Sequence, residues 1–137
     1  MHHTVRDAMT ANPTTVEGST TAEEAARTMK SEDVGSLPIL DGNRLVGVIT
    51  DRDLTLRVLG EGRGGETTVG EIASKDVVTV DPQQSLEEAA RLMAEHQLRR
   101  LPVCEEDGKL VGIVAQADIA QSGHDTLTGE TVQQISS

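Results

Sequence analysis

The segment Glu23-Glu24-Ala25-Ala26-Arg27-Thr28-Met29 returns 64 residues later as Glu87-Glu88-Ala89-Ala90-Arg91-Leu92-Met93, with six of seven residues identical. Leu37-Pro38-Ile39 returns at the same offset as Leu101-Pro102-Val103, and Gly47-Val48-Ile49 returns at 65 as Gly112-Ile113-Val114. A chain with this period is two copies of one supersecondary unit, the second with one extra residue in a turn.

Each copy predicts the same elements. Thr14-Thr15-Val16 and Val77-Val78-Thr79-Val80 read as short strands, and Thr21-x-x-Glu24 and Ser85-x-x-Glu88 are capping-box signatures for helix starts. Ala22, Ala25, Ala26 and Met29 then recur at i, i+3, i+4 and i+7, as do Leu86, Ala89, Ala90 and Met93, giving each helix an apolar stripe. Two strands joined by a tight turn follow, through Asp41-Gly42-Asn43-Arg44 in one copy and Glu105-Glu106-Asp107-Gly108-Lys109 in the other. Pro38 and Pro102 cannot donate to a ladder, which predicts an edge strand or a position on a strand's open side. A second helix is expected from near Asp51 and near Gln116.

The fold class is therefore α/β (α+β), with β-α-β-β-α copies over residues 5–59 and 69–122. Residues 60–68 join them, and Gly60-Glu61-Gly62-Arg63-Gly64-Gly65 predicts a flexible connection. In the tail, 123–137, Leu127, Val132 and Ile135 would support a short docked helix, whereas the Ser/Thr/Gln richness fits fraying, and both readings stay open. One copy of roughly 55 residues is marginal alone. The two are expected to pack sheet to sheet, and the Ala-rich stripes suit close helix approach, including against a second chain.

Composition narrows the function. A net charge of −11 repels phosphate backbones, and the chain has no Phe, Tyr or Trp on which bases could stack, so nucleic acid is not an expected partner. A planar ligand would have to lie between aliphatic side chains. The longest apolar runs are strand-sized, far below the ~20 residues of a membrane span. Met1-His2-His3-Thr4 lacks the basic and apolar stretches of a secretory signal, which makes a cytoplasmic location the expectation. Cys104, the single cysteine, sits in a strand-like apolar run and is expected to be an inert, half-buried thiol. No histidine or cysteine grouping has metal-ligand spacing and no nucleophile–base pair stands out, so neither a metal site nor an enzyme is expected.

The order Val5-Arg6-Asp7-Ala8-Met9, Ala25-Ala26, Gly35-Ser36-Leu37-Pro38-Ile39 and Leu45-Val46-Gly47-Val48-Ile49-Thr50-Asp51-Arg52-Asp53-Leu54 resembles the CBS domain, the cystathionine-β-synthase repeat. The second copy matches as well, so the resemblance covers about residues 5 to 122. It extends to the stand-alone CBS-pair proteins of bacteria, including the hypoxic-response type. It implies a Bateman module: two repeats packed through their sheets about a pseudo-twofold axis, binding adenosine-containing ligands in the clefts and often pairing into homodimers. AMP, ADP, ATP or S-adenosylmethionine would be the regulatory ligand, with no cofactor required and an unknown protein as effector. The alternative is a ligand-free dimerising scaffold or protein-interaction module.

Gly47-Val48-Ile49-Thr50-Asp51-Arg52-Asp53 matches the family's G-x-x-[ST]-x-x-D motif. At a strand-to-helix junction Thr50 would offer a hydroxyl and free backbone N–H groups to a phosphate, and Asp53 would accept ribose hydroxyls. Glycine at 47 would allow a backbone or a ligand to come close. The same two residues also read as a plain helix cap. By position in the family, Val77 and Val78 would flank the base and Arg100 would meet the phosphate. The second copy keeps Asp118 but has Ala115 for Thr50, and its cross-repeat partner at the arginine position is the first copy's Ser36, so Asp118 with Thr14 is expected to line a weaker or empty site.

Overall fold

The computed structural model describes residues 3–126. Its elements run α1 (Val5–Ala8), β1 (Thr10–Ala11), β2 (Val16–Glu17), α2 (Ala22–Glu32), β3 (Ser36–Asp41), β4 (Arg44–Thr50), α3 (Asp51–Asp53), α4 (Val69–Ile72), α5 (Leu86–His96), β5 (Arg100–Cys104), β6 (Leu110–Ala115) and α6 (Gln116–Thr126). A π-helical segment, Leu54–Leu59, continues α3. The expected tail, 123–137, falls mostly outside the described residues.

The chain divides into two compact units that are not the two sequence copies. The first takes Thr14–Val77 with Asp107–Leu110, and the second takes the described residues up to Pro13, Val78–Glu106 and those from Val111 onward. Each copy's leading helix and the segment after it have thus crossed into the unit built by the other copy.

In the first unit the strand order is β2-β3-β4. β2 runs parallel to β3 with Val16 opposite Ile39, and β3 and β4 form an antiparallel hairpin with Ser36 opposite Thr50. The hairpin turns through Gly42, whose φ of +66° suits a residue without a Cβ. Pro38 does not sit at an edge, because β3 is the central strand. It lies opposite Val48, whose N–H and C=O both bond outward to Ser74, so β4 makes no demand on the missing proline N–H.

Helix α2 starts as its sequence predicts. Thr21 Oγ1 accepts the Glu24 N–H, and the Glu24 carboxylate accepts the Thr21 N–H, each at 3.1 Å. Ala22, Ala25 and Met29 are buried against Leu37, Ile39 and Ile49. Ala26 is exposed, as is Ala90 in α5. At ~100° per residue, positions 22, 25 and 29 share an arc of about 60° while position 26 falls on its flank, so the stripe is narrower than the spacing suggested.

The glycine-rich connection is not a loose tether. Its Gly65 and Thr67 carbonyls accept the Glu23 and Ala22 N–H groups, two of the orphan donors of the first turn of α2. Thr67 is buried and its hydroxyl donates to the Gly64 carbonyl at 2.8 Å. From there α4 enters the first unit's core, with Val69 fully buried and Ile72 nearly so.

The second unit repeats these relations. Its sheet runs β1-β6-β5, with Thr10 opposite Ile113. The core gathers Leu86, Ala89 and Met93 of α5 with Leu101, Val103 and Val114, and Val5 of α1 takes the place that Val69 has in the first unit. The run Val77–Val80 pairs only through Val80, which bridges Val103 in parallel. Ser85 caps α5 by accepting the Glu88 N–H at 3.1 Å, but Glu88 lies 3.6 Å from Arg91 and the return half of the capping box is absent. The first copy's strand is likewise shifted, to Val16–Glu17, and Thr14 lies before it with its hydroxyl donated to the Glu32 carboxylate at 2.7 Å.

Candidate functional site

β4 ends in Thr50, which has extended backbone and caps α3. Thr50 Oγ1 accepts the Asp53 N–H at 3.0 Å, and Asp53 Oδ2 accepts the Thr50 N–H at 3.0 Å. Both readings of T-x-x-D thus meet in one geometry: the cap is formed, and its hydroxyl keeps a hydrogen free to donate. Asp51 N–H reaches across to the Gly35 carbonyl at 2.9 Å, tying the helix start to the head of β3.

The Asp53 side chain is only 14% exposed, and its Oδ1 lies 3.9 Å from Arg57 Nε. Arg57 in turn donates from Nη1 to the Ile72 carbonyl at 2.9 Å, at the C-terminal end of α4. Sequence reasoning passed over Arg57, although its i+4 spacing from Asp53 is the signal for such a pair.

The corresponding junction in the second unit keeps half of this. Asp118 Oδ2 accepts the Ala115 N–H at 3.0 Å, and Gln116 N–H bonds to the Arg99 carbonyl at 2.8 Å. Asp118 is therefore oriented as Asp53 is, but Ala115 has no hydroxyl to complete the exchange.

Gly47 has a role other than ligand access. A Cβ there would stand 3.0 Å from the Ser74 carbonyl oxygen, and one at Gly112 would stand 2.9 Å from the Thr10 carbonyl oxygen. In each unit the glycine lets the crossed leading segment lie against the hairpin.

The other sequence-predicted residues divide between the units. Thr14 and Val77 belong with Thr50 and Asp53 in the first, while Val78, Arg100 and Asp118 belong to the second. Val77 and Val78 are half-buried. Arg100 opens β5, is exposed, and forms no ion pair among the described residues. The second unit also carries a groove of about 310 Å³ between α5 and α6, walled by Ala90, Met93, Ala94, Leu98, Arg99 and Ile119. Cys104 is buried, and burial pushes its thiol pKa up to about 11. No group of three or more His, Cys, Asp or Glu is placed to hold a metal ion, and no helix is long and apolar enough to cross a membrane, among the described residues.

Two hairpin-and-helix units have exchanged leading segments, and in each an aspartate of the following helix accepts the N–H of the residue that ends the strand, the arrangement of a tandem module. The CBS domain family model matches residues 5–60 and again 69–125, and the chain belongs to that family as a CBS pair. It is 46% identical over 116 residues to the CBS domain-containing protein YhcV of Bacillus subtilis, covering 85% of this chain and 82% of that one. To hypoxic response protein 1 of Mycobacterium tuberculosis it is 44% identical over 120 residues, covering 86% and 83%.

Solved structures agree. A crystal structure of hypoxic response protein I with two coordinated zinc ions superposes with a TM-score of 0.79 at 43% identity, covering 88% of this chain and 98% of that one. CBSX2 in complex with AMP gives 0.79 at 35%, covering 90% and 97%. The CBS pair of MJ0100 in complex with 5-methylthioadenosine and S-adenosyl-L-methionine gives 0.79 at 26%, covering 93% and 100%.

Proposed function

We propose that this CBS pair is a sensor that binds an adenosine-containing ligand, AMP, ADP or ATP, at the Thr50–Asp53 junction and performs no chemistry on it. The observation that carries the reading is the reciprocal Thr50–Asp53 pair, which presents a hydroxyl and a nearly buried carboxylate at one strand end. Thr50 would donate to a phosphate oxygen and Asp53 Oδ1 would accept from the ribose. Val77, Val78 and Arg100 are the further ligand residues that position in the family implies, and Arg100 has no competing acid among the described residues. AMP in the CBSX2 structure and S-adenosyl-L-methionine in that of MJ0100 support the ligand class. S-adenosylmethionine is the second candidate.

Asp118, with Thr14 as the companion that family position implies, is assigned to the weaker site. Ala115 offers no hydroxyl, and the Thr14 hydroxyl is already donated to the Glu32 carboxylate, a charge that repels phosphate. The module acts in the cytoplasm as a homodimer, passing ligand state to a protein effector in a stress response. The exposed apolar side chains of Leu56, Leu59 and Leu98 favour a second copy as a partner.

Calorimetry with AMP, ADP, ATP and S-adenosylmethionine tests the site. One site per chain is expected, weakened about 10- to 100-fold by Thr50→Ala, because a hydrogen bond to a charged phosphate contributes ~1.5–3 kcal/mol. Without Trp or Tyr the protein is nearly transparent at about 280 nm, so co-purified nucleotide shows directly near 260 nm. Two equivalent sites would refute the asymmetry. Silence with every ligand, in heat and in thermal midpoint, would leave the dimerising scaffold as the function.

A further inference from the structure

We infer that Arg57 is a positioning residue for Asp53, a role that rests on the proposed ligand site for its purpose but not for its geometry. The two carboxylate oxygens of Asp53 have different neighbours. Oδ2 accepts the Thr50 N–H at 3.0 Å, and Oδ1 faces Arg57 Nε at 3.9 Å. Arg57 is not a free surface cation, because Nη1 is held at 2.9 Å by the carbonyl of Ile72, the last residue of α4. That carbonyl is among the helix-end acceptors that lack an intrahelical donor, so the guanidinium satisfies it and is fixed in turn.

The carboxylate is thus held at two points, by the hydrogen bond from the Thr50 amide on one oxygen and by the arginine at ion-pair distance from the other, and the arginine is itself anchored on α4. A carboxylate clamped this way meets a ribose without losing rotamer freedom on binding. The second copy has Ser122 where the first has Arg57, by the same 65-residue offset that matches Asp118 to Asp53. Three differences between the copies therefore fall on one junction: Thr50 against Ala115, Arg57 against Ser122, and the π-helical turn Leu54–Leu59 against the regular α6.

The test uses the full chain and two readouts. Without ligand, amide hydrogen exchange at Thr50 is expected to speed up about twofold to fivefold in Arg57→Ala, the scale of a partly exposed ion pair, and to be partly restored in Arg57→Lys. Amides at Leu37 and Ile49, in the same sheet, should keep their rates. With AMP as the probe, Arg57→Ala should weaken binding about twofold to fivefold in the native background and by less than about twofold in Asp53→Asn, because the arginine acts through the aspartate. An unchanged Thr50 rate, or acceleration shared equally by Leu37 and Ile49, would overturn the inference, as would equal loss of AMP affinity in both backgrounds. If native protein fails to bind AMP while the Thr50 rate responds as stated, the nucleotide reading falls and the positioning role stands.

Discussion

Gly112→Ala tests the exchange of leading segments where the two backbones are closest. An alanine Cβ at 112 would lie 2.7 Å from Met9 Sδ, 3.1 Å from Met9 Cγ and 2.9 Å from the Thr10 carbonyl oxygen. The methionine can swing aside. The carbonyl cannot, because Thr10 and Ala11 are paired opposite Ile113 and Gly112 and their positions define β1. Overpacking of this kind costs ~1–3 kcal/mol, and for a chain of this size each kcal/mol lowers the thermal midpoint by about 4 °C. Far-UV circular dichroism at about 222 nm during urea and thermal unfolding reads the loss without needing aromatic residues. The expected result is a midpoint lowered by about 4–12 °C with β1 amides losing protection first. Gly42→Ala sets the scale: nothing lies within 4 Å of that Cβ, so its cost is the left-handed backbone alone, about 1 kcal/mol. A Gly112→Ala protein within ~0.5 kcal/mol of the native one, with β1 still protected, would refute the claim that close approach of the crossed segment requires glycine.

Three other outcomes follow from the same geometry. Thr50→Ala should cost about 1 kcal/mol of stability by removing an N-cap, and Ala115→Thr should gain a similar amount, both read by urea unfolding. Cys104, with its thiol pushed up to about 11 by burial, should react with a thiol reagent at about pH 8 far more slowly in folded protein than in urea. Asp7, Glu24 and Glu71 are held below their ordinary values of 3.8, 4.5 and 4.5, the first two chiefly by the N–H groups of Thr4 and Thr21 and the third by the Thr68 hydroxyl. Their native values are depressed, so the stabilisation is complete above the ordinary values and is lost as pH falls through the lowered ones. The thermal midpoint should therefore drop below about pH 4.5, and less steeply in Glu24→Gln.

The repeat made most of the architecture legible. Capping residues placed α2 and α5, the 3.6-residue spacing of Ala22, Ala25 and Met29 named the buried face, and the Gly42 turn located the hairpin. What could not be read was which copy each leading segment joins. Val5 and Val69 occupy equivalent positions in near-identical units, so local propensity favours neither partner, and only tertiary packing decides. Of the two placements open to Pro38, the edge strand fails for a related reason. The rule that proline avoids central strands assumes every inner position must donate, and the outward bonding of Val48 to Ser74, itself on a crossed segment, removes that demand. The Thr50–Asp53 cap was legible in the T-x-x-D spacing. The i+4 spacing of Asp53 and Arg57 carried a signal, but the anchor of Arg57 on the Ile72 carbonyl, 15 residues away and supplied by the other copy, did not.

That anchor changes what the asymmetry means. If Thr50 against Ala115 were the only difference, the second junction would be a copy that had lost one hydroxyl. The first junction instead ties its aspartate through Arg57 to α4, a helix belonging to the second copy but buried in the first unit. If the proposed ligand orders Asp53, it would also bear on the end of α4, beside the Ser74 segment that bonds to Val48 and lies against Gly47. Under the proposed ligand reading, Asp53 would be joined through Arg57 to an element from the other repeat, whereas the position in the second copy that matches Arg57 is Ser122.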